Sequence, residues 1–243
     1  MKTLKILSII LLFSLSSCSL QKGYLKLTNE TNDEIISTEA IKEHMKKHPK
    51  TSIVLKAPYS EDKSTQSDLN SGIYNAIEKE LLLAGFDVKD RGLFNEVVSK
   101  SKDINYDEIR KLTGTDLILE LVRISNDVKY TTNQYYQKDD KPVVVEDTEF
   151  SRPGAIVEFK LTLIESNQSG GSYTFNYVPC KEKTKDCYCE VAYKKALDRV
   201  YPHLSFCQGP ENKNKEAFES VSQDIMINLV RDGVKKMINE IKQ

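Results

Sequence analysis

From Thr51 onward the chain alternates short apolar runs with amphipathic stretches. Ser52-Ile53-Val54-Leu55-Lys56-Ala57 is apolar on both faces and ends at Pro58, the pattern of a buried strand. Leu69, Ile73, Ile77 and Leu81 then recur every four residues with Ala76 and Ala84 beside them, which predicts one apolar helix face closed by Gly85. Phe86 to Asp90 alternates as a half-exposed strand, and Leu93, Phe94, Val97 and Val98 form a second helix face. Asn105 and Glu108 form a capping box that opens a short helix through Ile109 and Leu112 to Gly114. Leu117 to Ile124 is apolar on alternate faces apart from Glu120 and Arg123 and reads as a central strand.

The second half has a different rhythm. Residues 126–154 are polar and predict a long loop or a hairpin extending from the sheet. In Ala155 to Ile164 the apolar set is Val157, Phe159, Leu161 and Leu163, with Glu158, Lys160 and Thr162 between them. Gly170-Gly171 is read as the turn, and Tyr173, Phe175 and Tyr177 alternate again, giving an antiparallel hairpin with one wet face. Ala217, Val221, Ile225, Leu229, Val234, Ile238 and Ile241 stripe a C-terminal helix of about seven turns. Helices interleaved with strands, then strands in succession, predict an α/β fold: a mixed β-sheet flanked by helices, with an antiparallel hairpin in the second half and a long C-terminal helix.

Before Thr51 the chain is polar, with a short strand expected at Tyr24 to Leu27 and a charged helix over Thr38 to Lys47. The expected organisation is a signal segment over 1–17, a tether and peripheral segment over 18–50, and a single α/β domain over 51–243 with a cysteine-rich insertion at about 178–210.

The N-terminus changes the picture most. Lys2 and Lys5 precede an apolar stretch from Ile6 to Leu15, followed by Ser16-Ser17-Cys18. A basic end, an apolar core too short to span a bilayer permanently and a small-residue cleavage site make a secretory signal. Leu15-Ser16-Ser17-Cys18 resembles the lipobox of bacterial lipoproteins, which implies cleavage before Cys18 and acylation of that cysteine. Ser19-Leu20-Gln21 carries no aspartate of the kind that retains such proteins at the inner membrane, so the resemblance implies an outer-membrane anchor facing the periplasm. No later segment approaches the ~18 consecutive apolar residues of a spanning helix.

Four further cysteines, Cys180, Cys187, Cys189 and Cys207, are clustered late in the chain. In an exported protein an even, clustered set reads as disulfides. A Cys187–Cys189 bond would close a very small, strained ring, so one bond from each of these to Cys180 and Cys207 is favoured. The C-x6-C-x-C-x17-C spacing is unlike the paired spacing of a zinc site. His44, His48 and His203 are too scattered in sequence to point to a metal cluster, and no cofactor motif stands out.

A formal net charge of −1 gives no general attraction to nucleic acid. The chain has no Gly-rich phosphate loop, no H-E-x-x-H and no G-x-S-x-G, and the expectation is a protein without catalytic residues. Tyr135-Tyr136 is the aromatic cluster that stands out, either a partner anchor or a pair packed onto the sheet.

Across Thr51 to Ile124, the runs S-I-V-L-K-A-P, S-G-I-Y-N-A-I-E-K-E-L-L-L-A-G-F-D-V-K-D-R, L-F-N-E-V-V and L-T-G-T-D-L-I-L-E-L resemble the CsgG/LpoB-like superfamily of exported lipoproteins. Gly72, Gly85, Phe86, Val88, Arg91, Gly114, Asp116 and Leu117 carry the resemblance, mostly at packing positions. The resemblance implies non-enzymatic work at the envelope, either as an activator that binds another envelope protein or as a subunit of an oligomeric outer-membrane channel. Membrane strands need about ten alternating residues with an apolar lipid-facing set, and Val128 to Gln134 and Pro142 to Phe150 alternate poorly. The expected role is therefore membrane-anchored binding, scaffolding or activation, with the channel subunit and a small envelope hydrolase as the alternatives.

Overall fold

The computed structural model describes residues 20–27, 32–56, 67–100, 106–181, 189–195, 199–201 and 219–243. Among these are eleven strands and five helices in two sheets: a mixed α/β fold that ends in a helix. The chain divides into a larger unit (30–128, 154–177 and 221–243) and a smaller one (1–29, 129–153 and 178–220).

The larger unit is built on a six-stranded sheet in the order β2-β9-β8-β5-β3-β4. Its strands are β2 (Glu34–Ser37), β3 (Ser52–Lys56), β4 (Asp87–Val88), the first part of β5 (Leu117–Thr132), most of β8 (Phe150–Leu163) and β9 (Gln168–Tyr177). β3 runs parallel to β4 and β5, while β9 is antiparallel to β2 and β8. Helix α1 (Glu39–Lys47), α2 (Ser67–Leu83) and α5 (Gln223–Ile241) pack one face of this sheet. There Ile53, Leu55, Leu117, Leu119, Leu121, Val157, Phe159, Leu161, Tyr173 and Phe175 meet Ile73, Ile77, Leu81, Val230 and Val234. On the other face, Phe94 of α3 (Arg91–Lys100) and Ile109 of α4 (Tyr106–Thr113) cover Val54, Ile118 and Ile164. β3 and β5 are thus buried on both sides, which is why they read as unbroken apolar runs. β8 and β9 are covered on one side, which is why they alternate.

Local chemistry sets the ends of these elements. Gly85, at φ +87°, closes α2 with a paired cap: its N–H donates to the Leu82 carbonyl, and the Phe86 N–H donates to Leu81. Gly114, at φ +63°, ends α4. Three expectations are corrected here. Gly170 and Gly171 lie inside β9, not in the turn, which falls at 164–167 with Asn167 at φ +51°. Gly171 is there for space, since a Cβ would overlap the Tyr173 hydroxyl and the Ile36 carbonyl. The C-terminal helix begins at Gln223, short of seven turns, because the Val221 N–H donates to the Asn126 carbonyl 2.7 Å away and Ser222 takes the extended N-cap conformation. Residues 34–47 are no peripheral appendage: β2 pairs with β9, and α1 buries Ile41 and Met45 in the core.

The smaller unit contains a five-stranded sheet in the order β11-β10-β1-β6-β7. These strands are β1 (Gln21–Tyr24), β6 (Gln134–Tyr136), β7 (Pro142–Val144), β10 (Glu190–Lys194) and β11 (Arg199–Tyr201). The first strand forms at Gln21–Tyr24, three residues before the expected Tyr24 to Leu27, and it is the middle strand of its sheet. Within the expected cysteine-rich insertion, the described residues Glu190–Lys194 and Arg199–Tyr201 are strands. None of the helices described here is long and apolar enough to cross a membrane.

Candidate functional site

The smaller unit gathers its unusual chemistry around β1. Gln21 to Tyr24 pairs antiparallel with β10, and Tyr24 also faces Tyr136 of β6. Beyond β1 the chain stays extended, and two carbonyls hold it: the Leu25 N–H donates to Cys189 (2.8 Å) and the Leu27 N–H to Cys180 (3.2 Å). Those two cysteines are joined by a disulfide with 5.5 Å between their Cα atoms. The covalent bond therefore ties together the two backbone acceptors that grip residues 25–27, with Leu25 and Leu27 both fully buried. This is one of the bonds favoured from the sequence. Cys187 and Cys207 lie outside the described residues, as do Cys18 and the signal segment.

The tyrosine pair divides between two environments. Tyr135 is 4% exposed, and its ring packs against Phe150 (6.1 Å) and Tyr193 (5.3 Å) over Gly23, where a Cβ would come within 2.8 Å of the ring. Tyr136 is half-buried, stacked on Tyr24 at 5.8 Å, with the Lys26 ammonium 4.6 Å from its ring centroid. Packing thus uses Tyr135, and of the pair only Tyr136 retains an accessible edge. Arg152 of β8 is fully buried in this unit and donates to the Ser151 carbonyl (2.8 Å). The sequence carries no signal for that arginine, because it lies in a polar stretch without periodicity.

In the larger unit, the N-terminal ends of β3 and β5 carry a buried polar cluster. Asp116 accepts hydrogen bonds from the Ser52 hydroxyl (2.6 Å) and the Ser52 N–H (3.2 Å), while its own N–H donates to the Ser52 hydroxyl (2.9 Å). Burial works against the Asp116 charge, but the bonds from Ser52 and the nearby Arg110 guanidinium hold its carboxyl below the usual range. The Thr51 hydroxyl donates to the His48 carbonyl and lies 3.2 Å from His44 Nε2. Burial, and then the neighbouring His48, push His44 below the usual histidine value. So His44 and His48, scattered in sequence terms, lie with ring centroids 4.8 Å apart and planes tilted by 37°, while His203 lies outside the described residues. A serine, an aspartate and a histidine share this corner. Yet Ser52 is spent on Asp116 and His44 on Thr51, so the group locks strand register and α1 rather than preparing a nucleophile. No group of three or more metal-ligating side chains occurs among the described residues.

A cleft of about 370 Å³ lies between α5 and β9. Asp33, Asn176, Asn228, Asp232 and Lys236 rim it, and Phe175, Leu229 and Gly233 form its floor. Lys236 is engaged by Asp33 at 2.6 Å, and Asp33 also accepts from the Asn176 N–H. The cleft is open, and its Lys236–Asp33 pair is already made, with no signal in the sequence pattern.

No family model matches the chain, and no curated protein matches it. Similar solved structures include a PelC dodecamer from Paraburkholderia phytofirmans, at 9% identity over 93% of this chain and 99% of that one, with a TM-score of 0.34. A minor lipoprotein from Acinetobacter baumannii matches at 10% identity over 80% and 94%, with a TM-score of 0.33. The lipoprotein GNA1162 from Neisseria meningitidis matches at 14% identity over 55% and 88%, with a TM-score of 0.31. Overlaps of this quality carry no argument about fold or function.

Proposed function

We propose that the chain is an exported lipoprotein, cleaved before Cys18 and acylated there, that works as a non-enzymatic binding or scaffolding protein of the CsgG/LpoB-like type at the periplasmic face of the outer membrane. The observation that carries this reading is the Cys180–Cys189 disulfide. A structural disulfide belongs to an oxidising compartment, which is where the basic, apolar and small-residue order of residues 1–17 sends a chain. The accessible Tyr136 edge with Lys26 is the part of the tyrosine cluster left for a partner.

The channel alternative assigns membrane strands to Val128–Gln134 and Pro142–Phe150. Against it, Tyr130 and Phe150 from those segments are buried in the smaller unit's own packing, whereas a membrane strand turns such side chains outward.

Gentle detergent extraction of the full chain from envelopes, followed by mass measurement of the particles, tests the role. A protomer or small complex containing another envelope protein is expected. A ring of many identical subunits would overturn the adaptor reading in favour of the channel.

A further inference from the structure

The chain enters the smaller unit almost at once after Cys18. Gln21, the first residue of β1, is three residues on, and an extended chain covers at most about 3.6 Å per residue. An acylated Cys18 would therefore stand within roughly 11 Å of the middle strand of the five-stranded sheet. That leaves no length for a stalk, so the sheet end at the start of β1 must lie at the lipid headgroups.

Register identifies what else occupies that end. Gln21 faces Tyr193, so the C-terminal end of β10 lies beside the start of β1, and Lys194 faces Arg199 at the start of β11. β6 is antiparallel to β1 with Tyr136 opposite Tyr24, which sends the following turn, 137–141, to the same end. This end therefore holds Lys22, Lys138, Lys141, Lys194, Lys195 and Arg199, with all but Lys194 exposed, and Leu20 at 40% exposure. The carboxylates facing them are Asp139, Asp140 and Glu190, with Asp198 present in the intervening sequence. Asp139 is paired with Lys141 at 3.2 Å and Glu190 with Lys22 at 3.2 Å. Cations outnumber carboxylates at this end of a chain whose net charge is −1.

We infer that this end of the five-stranded sheet is a membrane-docking surface for anionic phospholipid headgroups, acting with the lipid on Cys18. The inference rests on the lipoprotein reading for its geometry and on charge for its chemistry. The lipid on Cys18 would hold this end at the bilayer, and a basic patch there adds attraction to anionic headgroups of about 1 kcal/mol per cation near the surface. The disulfide fits this arrangement: it fixes residues 25–27, and with them the strand that leads from the anchor.

The test uses the mature chain with Cys18→Ser, which removes the acyl anchor and isolates the charge contribution. Vesicles of phosphatidylcholine alone are compared with vesicles containing 30% phosphatidylglycerol (about one lipid in three) in a sedimentation assay. Preferential binding to the anionic vesicles, about tenfold or more and lost as salt shortens the Debye length, is expected. Lys194→Gln, Lys195→Gln and Arg199→Gln together should abolish that preference, while Lys46→Gln with Lys47→Gln, exposed on α1, should leave it unchanged. Equal binding to both vesicle types, or a preference that survives high salt, would overturn the docking surface even if the triple variant failed to fold. A second arm labels lysines of the acylated chain on anionic vesicles with an impermeant amine reagent. Protection of Lys138, Lys194 and Lys195 but not of Lys46 or Lys47 is expected, and uniform labelling would overturn the proposal. Absence of acyl mass on Cys18 would instead sink the lipoprotein reading, and the unacylated arm would still report on the charge.

Discussion

The two units solve the stability problem by different means. The larger has a sheet buried on one face by three helices and partly on the other by two more, so hydrocarbon burial holds it. The smaller has strands of three to five residues in its own sheet, a disulfide across the backbone acceptors of its first segment, and Tyr135 packed edge-on against Phe150. Sheets of such short strands bury little apolar surface, and a covalent link that restricts the unfolded chain makes up part of the difference. The contrast teaches where each kind of perturbation should act: core truncation on the larger unit, reduction on the smaller.

The largest expected effect is in the larger unit. Phe159 is 1% exposed and packs against Phe175 at 6.3 Å. Phe159→Ala should cost about 3–5 kcal/mol, read as a lower denaturation midpoint in urea. An unchanged midpoint would break the claim that this core carries the unit. Next in size, replacing Cys180 and Cys189 together by serine should remove about 2–4 kcal/mol from the smaller unit. Amide exchange at Leu25 and Leu27 should accelerate, while Leu119 and Phe159 in the larger core keep their protection. Equal acceleration in both units would erase the distinction.

How far each unit could be read in the sequence follows from the same contrast. Ile73, Ile77 and Leu81 on α2 and Val157, Phe159 and Leu161 on β8 repeat at helix and strand periods, because each faces one continuous core. The smaller unit offers no period to read. Its middle strand is Gln21–Tyr24, while the neighbours are Glu190–Lys194 and Gln134–Tyr136, so the pairing is set by contacts far apart in the chain. Gly23 and Arg152 make sense only against partners that the local pattern does not reveal, the Tyr135 ring and the Ser151 carbonyl. The disulfide was legible only in part, because spacing excludes a Cys187–Cys189 bond but leaves either of those cysteines open to Cys180. Asp116 was legible only as a packing position, whereas its role is to lock β5 to β3 through Ser52.

The smallest expected effect is a pH dependence confined to the larger unit. His44 has its pKa lowered in the folded chain, so the unfolded chain takes up a proton first as the solution is acidified. Its contribution is complete above about pH 6.5 and falls away below that, down to the lowered folded value. His44→Asn should flatten the stability profile between pH 7 and 5, measured by urea unfolding. The Asp116 contribution, also from a lowered pKa, should remain until the pH drops below about 4. An undiminished slope in the variant would remove His44 from the account.

The central claim is that this chain leaves the cytoplasm and is held to a membrane through Cys18, close to a disulfide-stapled unit. Mass spectrometry of the N-terminal peptide, taken without reduction from the full-length protein expressed in a bacterial envelope, tests it most directly. The account predicts a chain beginning at Cys18 with added acyl mass, together with a linked pair of peptides carrying Cys180 and Cys189. A chain that retains Met1, or that begins at Cys18 with no lipid, would contradict it.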